Sequence, residues 1–558
     1  MKSCQASDPV ISAFSHVMMM CVRGPDICQR SYRQRNRPME ASPRNQVTGR
    51  QVFAILFLGY LLFVLYPLLR ADRPYNDDLV RALNGAYGWN ANGRPLTTLL
   101  MRALELNLPS LVDIAPLTQI LAIALLALSG VLIARRYKLS SPLLAALLTL
   151  PLGAQPFFLE NLSFRFDAPG MALAILLALI PITTLRQKRS GFYLGALSLL
   201  GSLCSYQPAF NVFLIFALLD LLAAQTERSE PRQIFWLTCR YVTQTLLAAA
   251  VYTWKVAPSI KDWVQEHSRT IHSIRDINVV VHNTKTMGTY LLSAMPYRWT
   301  LMFLPLMLLM AVTPLVITLH YTFTPSTQHA HPLWVKSALI ILALLAPAAA
   351  LVSLAGPMLL LVSPIVAARV FPSVGALISA GLIALYLASH ATTRRWAVYL
   401  TNTVASIWVA GMLVFAGAYS NAQSAQKHYE DRIASQLSND LAELKANDGI
   451  QQFLLDGSAG LSPLTAHAAS RFPLLNTVVP TYLQGRDFMS RYFMKHYVTG
   501  LHEAREDDTN NAAADAVLGR ACTAPVVYTR SRYTLRLVGD TAVVTLPGGL
   551  PTGCPNPP

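Results

Sequence analysis

Residues 51–69 read QVFAILFLGYLLFVLYPLL, an unbroken apolar run with Arg50 at one end and Arg70 at the other. As a helix rising 1.5 Å per residue it measures about 28 Å, enough to cross the roughly 30 Å hydrocarbon core of a bilayer. Similar runs follow at 114–134, 142–155, 168–185, 191–206, 209–224, 234–256, 297–320, 333–354, 372–389 and 396–418, giving about eleven transmembrane helices. The composition agrees. Of 558 residues 53% are hydrophobic and 13% charged, with a mean hydropathy of +0.38, whereas soluble proteins carry about 25% charged residues. A single water-soluble core of this size is excluded, because its surface could not be covered. The fold class expected is an α-helical polytopic membrane protein.

The net charge of +16 raises the question of nucleic acid, and its placement answers it. Basic residues cluster between apolar runs, at Arg135-Arg136 with Lys138, at Arg186 with Lys188 and Arg189, and at Arg394-Arg395. They form no phosphate-binding stripe, and no nucleic-acid partner is expected. All three clusters fall on the side of the N-terminus, so the positive-inside rule assigns that side to the cytoplasm. Residues 1–50, rich in Arg and lacking an apolar helical face, read as a disordered basic cytoplasmic tail. The transmembrane domain then spans 51–418, with outer loops at 71–113, 155–167 and 258–295. A polar region at 419–558 carries helical stretches around 421–447 and strand-like segments at 526–528, 533–538 and 542–546. It is expected to be a small α/β extracytoplasmic domain. Cys522 and Cys554 are the two cysteines in it, and an oxidising compartment would allow them to pair.

Two outer loops concentrate polar residues. Loop 71–113 contains Tyr75-Asn76-Asp77-Asp78-Leu79-Val80-Arg81, Tyr87-Gly88-Trp89 and Asn92-Gly93-Arg94-Pro95-Leu96. Adjacent carboxylates beside a membrane can divide acid/base work. Asp77 and Asp78 also lie four and three residues before Arg81, the spacing of helical salt bridges, and both readings stand. Loop 155–167 places Glu160, Arg165 and Asp167 among Phe157, Phe158, Phe164 and Phe166. Ionisable groups at that depth are costly and therefore functional candidates, with snorkelling the alternative for Arg165. Gln207, in the turn Ser205-Tyr206-Gln207-Pro208, can hydrogen-bond a ligand or simply shape the turn. Arg369 can meet a phosphate or snorkel. His267, His272 and His282 match no metal spacing.

Taken together, the Asn-Asp-Asp of 76–78 with Arg81, the Asn-Gly-Arg-Pro-Leu of 92–96, the loop from Phe158 to Asp167 and Ser205–Pro208 resemble the bacterial glucosyl transferase family of phage-encoded O-antigen serotype conversion. The resemblance covers about 70–500 and weakens after the spans. It implies a polytopic transferase of the GT-C type in the bacterial inner membrane. Such an enzyme takes a sugar, here glucose, from polyprenyl phosphate and attaches it to a glycan of the lipopolysaccharide on the periplasmic face. It also implies two companions, a small flippase and a donor-charging glycosyltransferase. On that mechanism the base is Asp78, then Asp77. Arg81, Arg94 and Arg165 are the donor phosphate-binding residues, since guanidinium groups grip phosphate oxygens in bidentate fashion. Glu160, Asp167 and Gln207 are the substrate-binding candidates. No cofactor is implied, and the charge count neither requires nor excludes a divalent metal. The competing class is a lipid-linked sugar transporter or flippase. It would need polar sites near the bilayer midplane, where the sequence is nearly free of charge.

Overall fold

The computed structural model describes residues 49–549, apart from 185–187, 228, 272, 274–275, 324–331, 393–394 and 506–511. The expected basic tail up to residue 48 lies outside the described residues, as do Arg186, His272, Arg394 and Cys554. Cys522 is disulfide-bonded.

Among the described residues eight helices are long and apolar enough to cross a membrane: Gly49–Ala71, Leu117–Arg136, Gln207–Thr226, Pro231–Ser259, Tyr297–Phe323, Leu333–Leu360, Ser373–His390 and Trp396–Asp448. The other three expected spans are helical but short, at Pro142–Ala154, Ala168–Thr183 and Arg189–Ser205. Pro151 interrupts the first of them. The second is buried at Ala172, Ala174, Ile175, Ala178 and Leu179 because Leu117–Arg136 and Arg189–Ser205 pack around it. A helix enclosed by other helices meets protein and need not match the bilayer's thickness. The first long helix widens to π geometry at Leu61–Leu65, just before Pro67, whose ring and missing N–H displace the regular ladder.

The last helix differs from its expected form. A span at 396–418 followed by separate polar stretches is in fact one helix, Arg395–Asp448, of 54 residues. At 1.5 Å per residue it is about 81 Å long. Nothing breaks it, because its buried face continues after the apolar span ends. Val404, Trp408, Met412 and Phe415 belong to the membrane bundle's core. Ile433, Ala434, Leu437, Leu441 and Leu444 then carry the stripe on at three- and four-residue spacing.

That second stripe packs on a five-stranded sheet of order β2-β1-β5-β4-β3, with β1 Gln452–Asp456, β2 His502–Glu503, β3 Val526–Thr529, β4 Thr534–Val538 and β5 Thr541–Thr545. β1 runs parallel to β2 and β5, while β4 is antiparallel to β3 and β5. Phe453, Leu455, Ala542 and Val544 face the long helix. Leu454 and Val543 face the helix Ala512–Ala521 on the other side. The sheet is covered on both faces, and the three strands expected from sequence are β3, β4 and β5.

Loop 71–113 is anchored to this domain. Leu79 enters its core. Arg73 forms an ion pair with Glu430 at 2.6 Å, both side chains almost wholly buried. The same guanidinium donates to Gln423 at 2.8 Å and to the Pro480 carbonyl at 2.5 Å, and it lies over the Tyr482 ring. Glu430 also accepts the N–H groups of Tyr482 and Leu483.

Candidate active site

The helix Asp77–Asn84 opens with both carboxylates in its first turn, where the helix dipole favours negative charge. Asn76, at φ 45°, makes the sharp entry and is held by its N–H to the Tyr482 hydroxyl at 2.8 Å. The two carboxylates then part company. Asp78 is buried, and its Oδ2 accepts the N–H of Tyr75 at 3.1 Å and of Arg165 at 2.9 Å. Its Oδ1 accepts Phe166 N–H at a long 3.4 Å, which leaves that oxygen able to carry a proton. Burial pushes this carboxyl up to about 8, against the pull of its N–H donors. Asp78 thus joins loop 71–113 to loop 155–167.

Asp77 is exposed and makes no hydrogen bond or ion pair among the described residues. The protein crowded around it raises its pKa, as does the charge of Asp167, while Arg81, Arg369 and Arg94 draw it down. The helical salt bridge allowed by spacing does not form. Arg81 instead pairs with Asp167 at 3.3 Å and lies over the Trp89 ring at 4.1 Å. Trp89 in turn donates its indole N–H to Asp167 at 2.7 Å. Asp167 is therefore committed to holding Arg81 and Trp89, with Arg94 at 3.9 Å.

Arg94 reaches across to the turn at 205–208. Its Nε donates to Gln207 at 3.1 Å, and its head lies 4.8 Å from the Tyr206 ring centre. Gln207 is saturated by the protein itself, since its amide nitrogen donates to the Asn92 carbonyl at 3.0 Å and the Tyr252 hydroxyl at 2.8 Å. This places Gln207 as a brace for Arg94. Gly93 is required beside it. It sits at φ +69°, and a Cβ there would come within 2.5 Å of the Tyr252 hydroxyl.

Glu160 is buried and holds Arg369, accepting its guanidinium at 2.8 Å and its backbone N–H at 2.6 Å. The Arg369 carbonyl receives Asn161 and the Tyr206 hydroxyl, so the turn at 205–208 fixes both Arg94 and Arg369. These two side chains are 23% and 29% exposed, against 9% for Arg81, and each keeps guanidinium N–H groups without a hydrogen bond among the described residues. Arg165 is differently placed. Its guanidinium bridges Asp113 at 2.8 Å and Asp72 at 2.7 Å, so both its ends are taken. Among the described residues no three His, Cys, Asp or Glu side chains come together as a metal site.

The sequence model of the family described as glucosyl transferase GtrII matches residues 66–380. The chain belongs to this family. A protein of Salmonella phage P22, described as an uncharacterized 55.3 kDa protein in the gtrB 5' region, is 28% identical over 224 residues. That stretch is 40% of this chain and 46% of the phage protein, so the chain spans about half of that relative's length. No solved structure matches. The GtrII match encloses Asp77, Arg81, Arg94, Glu160, Arg165, Asp167, Gln207 and Arg369, and it ends before the long helix. Arg369 is the member of the cluster that sequence spacing could not assign. It lies about 200 residues beyond Glu160 in a segment, Ala367-Ala368-Arg369-Val370-Phe371, that carries no motif.

Proposed function

We propose that this GtrII-family chain is a membrane glucosyltransferase that moves glucose from polyprenyl phosphate to a surface glycan such as O-antigen, at the periplasmic face of the bacterial inner membrane. The observation that carries this reading is the uncommitted Asp77 carboxylate, within electrostatic reach of the partly exposed heads of Arg94 and Arg369. In the transfer, an acceptor hydroxyl oxygen bonds to the anomeric carbon as the bond from that carbon to the phosphate oxygen breaks. The electron pair leaves with the phosphate, and the hydroxyl proton passes to Asp77. Arg94 and Arg369 stabilise the charge that grows on the departing phosphate. Asp167, Glu160 and Gln207 position those arginines, and Asp78 holds the two loops together. The lipid-linked donor, the glycan acceptor, a flippase and a donor-charging enzyme are the partners this scheme requires. The disulfide at Cys522 suits a domain in an oxidising compartment.

The direct test is transfer of labelled glucose from polyprenyl phosphate to O-polysaccharide by the purified chain in proteoliposomes. Label that stays on the carrier with the intact protein would reject the reading.

Topology supplies a second check. Tags near residues 90 and 480 should report the periplasm, and a tag near 188 the cytoplasm, given the Lys/Arg bias. A cytoplasmic report at 90 would place the proposed site on the wrong face.

The pH profile gives a third. A base must be deprotonated, and crowding holds Asp77 above the ordinary carboxylate value of about 3.9. The acid limb of kcat/KM should therefore lie above that value. Arg369→Gln removes a cation that draws Asp77 down, so the limb should move to still higher pH, and Arg369→Lys should restore it. An unmoved limb in Arg369→Gln would separate Arg369 from the base.

A further inference from the structure

Two depressions of about 200 Å³ each flank the segment Asp72-Arg73, meeting at Asp72, Arg73 and Arg165. One is lined by Leu68, Leu69 and Ala71 at the end of the first span together with Pro116, Gln119 and Ser163. The other opens between loop 71–113 and the C-terminal domain, and its domain side is made by Lys427, Asp431, Tyr482, Phe493, His496 and Tyr497. We propose that this second depression binds a sugar unit of the acceptor glycan, an inference that rests on the glucosyltransferase reading above.

Three observations support it. The first is an aromatic wall: the Tyr497 ring is half-buried and is backed by the buried Phe493 ring, 5.1 Å away between centres, with buried Tyr482 5.6 Å from Phe493. Aromatic faces are apolar bodies with polar tips, and the C–H faces of a pyranose ring suit them. The second is charge balance. Asp431 pairs with Lys427 at 3.3 Å and accepts the Tyr497 hydroxyl at 2.6 Å. On the loop side Arg73 is matched by Glu430, and Arg165 by Asp72 and Asp113. Arg73, Arg165 and Lys427 are thus all paired, and the remaining basic side chain of the lining is the imidazole of His496. That disfavours a phosphate or lipid headgroup and favours a neutral, hydroxyl-rich ligand. Asp431 retains lone pairs for hydroxyl donors, and His496, whose Nδ1 faces the Tyr492 carbonyl at 2.9 Å, is exposed at the rim. The third is position. The Tyr482 hydroxyl at the edge of the depression accepts the N–H of Asn76, the residue before Asp77. A glycan seated there would continue towards the proposed base.

The test uses the full chain in lipid nanodiscs and O-polysaccharide released from the lipopolysaccharide of the organism that encodes it. Hydrogen exchange without donor should slow at 427–431 and 493–497 on adding the polysaccharide. The slowing should be lost in the Asp431→Asn/His496→Ala double variant. In the transfer assay that variant should raise acceptor KM at least about tenfold, as for one lost charge-assisted hydrogen bond, with donor KM and saturated kcat unchanged. Protection confined to other segments, or a fall in kcat with acceptor KM unmoved, overturns the site. If polysaccharide protects these segments but glucose is never transferred, the site stands and the transferase reading falls. Transfer without protection gives the reverse.

Discussion

Asp77→Asn should slow glucosyl transfer about 10²- to 10⁴-fold while the lipid-linked donor still binds, the range expected when a general base is removed. The amide keeps the size and reach of the side chain but cannot take the acceptor's proton. No protein group depends on the Asp77 oxygens among the described residues, so folding should be untouched. Asp78→Ala should behave differently. Its carboxyl receives three backbone N–H groups from two loops, and a methyl group leaves them without an acceptor. A buried donor left unsatisfied costs about 1–3 kcal/mol, so the expected result is a lower melting temperature with transfer and donor binding falling together. The pair should be compared by labelled-sugar transfer, donor binding and thermal melting on the same preparations. Wild-type turnover in Asp77→Asn would remove it from the mechanism.

The second large effect concerns the domain junction. Glu430→Ala leaves Arg73 buried without its counter-charge, and breaking such a pair costs about 3–5 kcal/mol. Because the long helix and loop 71–113 meet at this pair, hydrogen exchange should accelerate in β1 and in residues 73–79 together. The double change Arg73→Met/Glu430→Leu should recover much of that loss, since no charge then remains buried. A single variant no less protected than wild type, or a double variant worse than either single, would contradict the assignment of the pair as the joint.

The apolar spans were legible because bilayer thickness imposes a length and a composition together, and each expected run is helical. What the runs could not convey is which of them touch lipid. Ala168–Thr183 has the composition of a span, yet its neighbours enclose it. β3, β4 and β5 were readable as strand-like stretches, whereas β1 was not. Its Phe453-Leu454-Leu455 core is buried on both faces, so it lacks the alternation that marks a one-sided strand. At the site, the loop motifs brought forward seven charged residues and Gln207 but could not divide their labour. Asp77 and Asp78 are neighbours in one helical turn, and only the approach of Arg165 N–H and Phe166 N–H decides which carboxyl is occupied. Arg165 looked like a phosphate ligand because Asp72 and Asp113 lie some 90 and 50 residues away in sequence. Long-range pairing, which spacing does not encode, made the difference.

The unbroken helix Arg395–Asp448 also acts as a drive shaft. Its membrane half is keyed into the bundle, and its distal half is keyed to the sheet. Angular phase is therefore transmitted along it as faithfully as height. Four residues inserted near 417 would lift the domain about 6 Å and turn it about 40°, carrying Glu430 out of line with Arg73. Seven or eleven residues would return the face to within about 20° of its heading. Length changes in this shaft should therefore survive in near-whole turns, with loop 71–113 lengthening in step to keep its grip.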